Sequence, residues 1–195
     1  MINLKALIES KVKDIISRWD EKEIYAISFF VYSNEAYEWG GCSSVTDFHI
    51  SYNTEGDCRG AEPLSEERWN YAYWRQNEFP IISVDDNDDM KLLFDWYAEN
   101  GVENIGYEDA ENCYDGNGRF IGNGPVGYRE LLGEVTAVAK CLQESGFIQE
   151  KFGYPVPIII HDLEYSWYVL EATKEANPEG EAEEFFMAMR KHGMM

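Results

Sequence analysis

The sequence predicts an α+β fold: a largely antiparallel sheet with a central strand near residues 24–32, flanked by helices. Three observations carry this expectation. Residues 4–19 place Leu4, Leu7, Ile8, Val12, Ile15, Ile16 and Trp19 at helical spacing. The run IYAISFFVY (24–32) is almost unbroken in apolar character, as a strand covered on both faces would be. Downstream segments follow in the order α-β-β-α-α-α-β-α, which mixes strands and helices without a regular βαβ repeat. With 195 residues, of which 45% are hydrophobic, the chain is long enough to bury a core as one domain spanning 1–195.

The elements follow in order. The opening helix is amphipathic, with Lys and Glu opposite its apolar stripe. In TDFHISYN (46–53), Phe48, Ile50 and Tyr52 alternate with Asp47, His49 and Ser51, so a second strand is expected, antiparallel to the first. NTEGDCRGAEP (53–63) reads as a polar loop. Ser65 is positioned to cap a helix that would share Trp69, Ala72 and Tyr73 on one face, although Trp69, Tyr71 and Tyr73 also fit a strand. FPIISV is a short apolar segment. DDNDDMKLLFDWYAENG (85–101) predicts an acid-capped helix with Leu92, Leu93 and Trp96 inward. Residues 101–127, rich in Gly, Asn and Asp, are expected to be loop. Leu131, Leu132, Val135, Val138, Ala139 and Leu142 predict a long helix closed by Gly146. PVPIIIHD then supplies a buried strand, EYSWYVLEATKEA fits strand or helix, and GEAEEFFMAMRKHG a terminal helix.

Charge narrows the ligand classes. Thirty-seven Asp and Glu against sixteen Lys and Arg give a net charge of −21. Such a surface repels phosphate backbones and anionic lipid, which argues against nucleic-acid or membrane binding; the charge serves either solubility alone or a basic protein partner. Residues 1–19 have spaced apolar residues and no small-residue cleavage site, so no signal peptide is expected and the chain reads as cytoplasmic. Cys42, Cys58, Cys113 and Cys141 form no C-x-x-C pair, and reduced, metal-free thiols are the expectation.

Several motifs invite a chemical reading. Gly122, Gly124 and Gly127 fit G-x-G-x-x-G, but no strand leads into them and no acid stands at the ribose-binding distance. They are read as turn and helix-entry residues, and no cofactor is expected. Asp85, Asp86, Asp88 and Asp89 miss the EF-hand pattern, since its sixth and twelfth positions hold Met90 and Trp96. Helix capping accounts for them, and they also offer an acidic patch. His161, Asp162 and Glu164 at a strand end form a candidate acid–base set. No nucleophile elbow, Cys–His signature, H-E-x-x-H or phosphate-binding loop accompanies it.

The strings RWNYAYWRQNEF (68–79), LLFDWYAENGVENIGYE (92–108) and IIIHDLEYSWYVLEATKEANP (158–178) resemble a bacterial family known as the domain of unknown function 4303. That resemblance brings no activity and no catalytic residues. Small acidic bacterial proteins of this kind resemble immunity proteins by charge and architecture. The sequence reading is therefore a protein-binding module, immunity-like or regulatory. Its acidic face would be Asp85, Asp86, Asp88 and Asp89, with Trp69, Tyr73 and Trp74 as aromatic anchors. The alternatives are a small hydrolase using His161, Asp162 and Glu164, and a structural or regulatory protein without a charge-driven partner.

Overall fold

A computed structural model describes the chain from Met1 to Met195 except for positions 36, 37, 43, 59, 76 and 110. Positions 59 and 110 belong to the two expected loops, and there the expectation lies outside the described residues. Strands β1 (Ile24–Asn34) and β2 (Val45–Thr54) pair antiparallel, with Phe29 opposite Ile50 and Asn34 opposite Val45. β3 (Phe79–Ile82) adds antiparallel to β2, and β4 (Ile158–His161) adds parallel to β1. The sheet order is β3-β2-β1-β4, so the apolar run 24–32 is central as its composition predicts.

Helices cover both faces of this sheet. On one, α1 (Leu4–Ser17) buries Leu4, Ile8, Val12 and Ile16, close to one residue per turn. The same core takes in Met90 and Leu93 of α3 (Asn87–Glu99) and Leu131, Val135 and Leu142 of α4 (Tyr128–Glu144). Ile27, Phe29 and Val31 of β1 point into it. The opposite face receives Tyr25, Ala26 and Phe30. The register shift between Ile24 and Ala26 brings two consecutive residues to this side. There they meet Trp69, Tyr71 and Trp74, and Phe185, Ala188 and Met189 of α7 (Glu183–Lys191). The result is a single α+β domain with helices flanking the sheet.

One segment falls short of its sequence expectation, one bears it out and continues into a further helix, and one settles a choice left open. The helix expected to begin at Ser65 lasts a single turn, α2 (Glu66–Trp69), and the Ser65 side chain makes no capping hydrogen bond to it. Asn70 adopts an extended conformation and its side chain accepts from the Ala72 N–H at 3.0 Å, starting a 3-10 turn, Tyr71–Tyr73. Trp69 and Tyr71 are consequently buried while Ala72 and Tyr73 face outward. Gly146, in the left-handed region at φ 76°, ends α4 and starts a short α5 (Phe147–Phe152). The ambiguous segment after β4 is helical, α6 (Trp167–Ala176). Among the described residues, no helix is long and apolar enough to cross a membrane. Cys42, Cys58 and Cys141 are free thiols, and Cys113 is buried.

Candidate functional site

The described residues of the 107–126 segment are tied together by hydrogen bonds within the segment and to Gly106. Gly106 N–H donates to the Val126 carbonyl and Val126 N–H to the Tyr107 carbonyl, each at 2.9 Å. Inside this clasp, Tyr114 and Phe120 form an antiparallel bridge. Asp115 closes the tip, its carboxylate accepting from the N–H groups of Asn117 at 2.8 Å and Arg119 at 2.9 Å. These two backbone donors hold the Asp115 carboxyl below its usual pKa. Polar residues thus fold the loop, and its rings are left to project from it.

Those rings continue into α6. Tyr114 lies 5.5 Å from Phe120, Phe120 lies 6.3 Å from Tyr168, and Tyr168 lies 5.8 Å from both Tyr128 and Trp167. The Trp167 indole donates to the Gly122 carbonyl at 2.9 Å, which fixes its orientation while 40% of the residue stays exposed. Gly124 makes this packing possible. Its φ is +76°, and a Cβ there would stand 2.9 Å from the Tyr128 ring. Backbone geometry and ring packing thus require a glycine at position 124.

Between the loop and the β4–α6 connection lies a groove of about 1150 Å³. Its aromatic and apolar lining includes Tyr114, Phe120, Leu163, Trp167 and Tyr168. Among the described residues its charged lining is Glu35, Glu108, Asp162, Glu164 and Glu171 against Arg119. Asp162 accepts from the Tyr128 hydroxyl at 2.7 Å and from the Leu163 N–H at 2.6 Å. Burial pushes its carboxyl up despite these bonds, and the charge of Glu164 adds to the rise. A second cavity, about 820 Å³, is lined by Gly41, Cys42 and residues 104–108, and shares Glu108 with the groove.

The sequence-predicted site residues are dispersed. Asp162 and Glu164 line the groove, but His161 does not. Its Nδ1 is 2.8 Å from the Ser28 hydroxyl and its Nε2 is 3.4 Å from the Trp69 carbonyl. The rings of Tyr71, Trp74, Tyr165 and Phe185 surround it. Burial drives its pKa down to about 3, so the imidazole is neutral near pH 7 and closed to solvent. The acid–base set expected from His161, Asp162 and Glu164 is therefore not assembled.

The expected partner-binding residues are also divided. Trp69 and Trp74 are only 3% exposed, because Trp69 packs edge-on to Tyr25 and Trp74 Nε1 donates to the Arg68 carbonyl at 2.9 Å. Neither presents a face to a partner, which corrects their assignment as anchors. Tyr73 is exposed. Asp86 caps α3, accepting from Asp88 N–H at 2.8 Å and Asp89 N–H at 3.2 Å. Asp89 pairs with Lys11 and accepts from the Ser83 N–H, while Asp85 and Asp88 are exposed. Among the described residues, no group of three or more His, Cys, Asp or Glu is placed to hold a metal ion.

Residues missed by sequence reading are Glu108, Tyr114, Arg119, Phe120, Trp167 and Tyr168. One signal was available. Tyr107, Tyr114 and Phe120 place three large rings within fourteen residues of a stretch rich in Gly, Asn and Asp, a concentration of apolar surface in an expected loop.

Residues 64–132 match a family model described as the OAA-family lectin sugar binding domain. No curated protein and no solved structure matches the chain. The match replaces the resemblance to the domain of unknown function 4303. It also overturns the expectation of an immunity-like module with a basic protein partner, together with the hydrolase alternative, because it points to carbohydrate. In the structure the matched span runs from α2 to the first turns of α4, and includes the ring-bearing loop of the groove.

Proposed function

We propose that the groove between residues 108–125 and 162–171 binds an uncharged carbohydrate. One observation carries this reading: the segment matched to a sugar-binding family supplies Tyr114, Phe120 and Arg119 to the groove wall. The chemistry agrees. A pyranose has an apolar C–H face that suits the electron-rich face of an aromatic ring, here Trp167 and Tyr114. Its hydroxyls are donors and acceptors, matched by the carboxylates of Glu108, Glu164 and Glu171 and by the Arg119 guanidinium. Five carboxylates against one guanidinium make the groove a repulsive environment for uronic, sialic or sulfated sugars. Because its walls come from both 108–125 and 162–171, binding would need the whole 1–195 unit and not the matched span alone.

Calorimetric titration with neutral and anionic saccharides tests the proposal. An open groove of this kind suits roughly millimolar affinity for a single sugar, about −4 kcal/mol. Trp167→Ala should weaken that binding about tenfold or more while the circular dichroism spectrum is unchanged. The proposal falls if no neutral saccharide binds at millimolar concentration, or if Trp167→Ala binds as the parent does.

A further inference from the structure

Resting on the sugar-binding reading, we infer that the ligand is an oligosaccharide chain, and that the cavity beside Gly41 and Cys42 is its second subsite. Glu108 lines both cavities. The backbone beside it is held by two hydrogen bonds of 2.9 Å, from the Gly106 N–H to the Val126 carbonyl and from the Val126 N–H to the Tyr107 carbonyl, and the neighbouring Pro125 lines the groove. A ligand extending from the groove past Glu108 would reach the second cavity along this segment.

The second cavity has the composition of a site for a neutral ring. Apart from Glu108 it is lined by Gly41, Cys42, Asn104, Ile105, Gly106 and Tyr107, none of them charged. Gly41 lies on a tight turn closed by reciprocal hydrogen bonds between Trp39 and Cys42, at 3.2 and 2.9 Å. Gly106 brings its backbone against Ser44, where a Cβ would stand 3.1 Å from the Ser44 carbonyl. Gly41 has open space beside it, with nothing within 4 Å of where a Cβ would stand, and Tyr107, 61% exposed, offers a ring. Volumes of about 1150 and about 820 Å³ each exceed the roughly 300 Å³ at which small-molecule sites begin. Two adjoining subsites on one rigid wall favour a chain over a single sugar, because the second ring binds without a second loss of translational freedom.

The experiment titrates the intact chain with ladders of glucose, mannose and N-acetylglucosamine oligomers, from one to about six units, so that each ladder can span two subsites. Affinity should rise roughly tenfold from the shortest bound ligand to the length that crosses Glu108. Tyr107→Ala should remove that rise, whereas Trp167→Ala should lower affinity at every length. Affinity that is flat with length, or a length gain that survives Tyr107→Ala, overturns the second subsite while single-sugar binding still supports the first. If no ladder binds at any length, the sugar-binding reading fails and takes the second subsite with it.

Discussion

His161 and Asp162 are neighbours in sequence with opposite electrostatic fates. His161 is buried neutral among four aromatic rings, with its pKa pushed down to about 3. The unfolded chain, with a usual value of 6.5, binds the proton more readily. This contribution to stability is complete above pH 6.5 and declines as pH falls toward 3, at up to about 1.4 kcal/mol per pH unit. Asp162 acts in the other direction. Its raised carboxyl pKa favours the folded state below the usual value of 3.8, and that contribution is lost as pH rises through the folded value. Comparing the parent with His161→Asn separates the two. Urea denaturation from pH 7 to pH 4 should show a smaller loss for His161→Asn, although the variant starts less stable. Parallel pH profiles would show that the ring is not buried as a neutral group.

At the scale of elements, the exposed side of β4 shows how this sheet ends. β4 pairs with β1 only, so its outer backbone groups need partners that no strand supplies. Side chains from α6 and its C-cap provide them. Thr173 Oγ1 accepts from the Ile160 N–H at 3.0 Å, and Asn177 Oδ1 accepts from the Ile158 N–H at 2.8 Å. Asn177 Nδ2 also donates to the Ile158 carbonyl at 2.7 Å. The same docking sets the start of α6, and with it Trp167 at the groove. Asn177→Ala should therefore cost about 1–3 kcal/mol, the penalty for unsatisfied buried groups. Hydrogen exchange at Ile158 should accelerate in this variant more than exchange in β2. A loss below about 0.5 kcal/mol would mean that water replaces the amide and that the edge is not sealed.

At the scale of the molecule, the matched span is not a self-contained unit. Residues 64–132 contain α2, β3, α3 and the beginning of α4, yet the strand beside β3 is β2, outside the span. Trp69 and Trp74 pack on Tyr25 of β1, and Leu131 joins a core shared with α1. Cut from the chain, the span would expose these faces, and one short strand cannot form a sheet. A fragment of residues 64–132 should accordingly show no cooperative thermal transition and no saccharide binding, by calorimetry and titration. A folded, sugar-binding fragment would contradict the two-walled groove. The net charge of −21 belongs to this scale also, because the field of the whole surface disfavours the approach of anionic molecules of any class.

Periodicity and punctuation alone determined α1, β1, α3 and α4. The apolar spacing of α1 and the unbroken apolar run of β1 state which surfaces are buried: Leu4, Ile8, Val12, Ile16 and Trp19 are, although Leu7 of the same stripe is 43% exposed and Ile15 half-buried. The acidic cluster 85–89 was legible as capping because capping is local, and the structure gives the cap itself to Asp86. The segment 68–79 was not, since its rings fit two periods and Asn70, one polar residue, decided between them by starting a new turn. The groove lay further beyond reach. Its walls are about forty residues apart in sequence, and only the crossover that lays β4 parallel to β1 brings Asp162 and Trp167 to the loop of Tyr114. Successive residues leaving a strand point to opposite sides, so His161 turns to Ser28 and Trp69 while Asp162 turns to Tyr128. Local pattern fixes what must be buried; long-range pairing decides what it is buried against, and so which side chains meet.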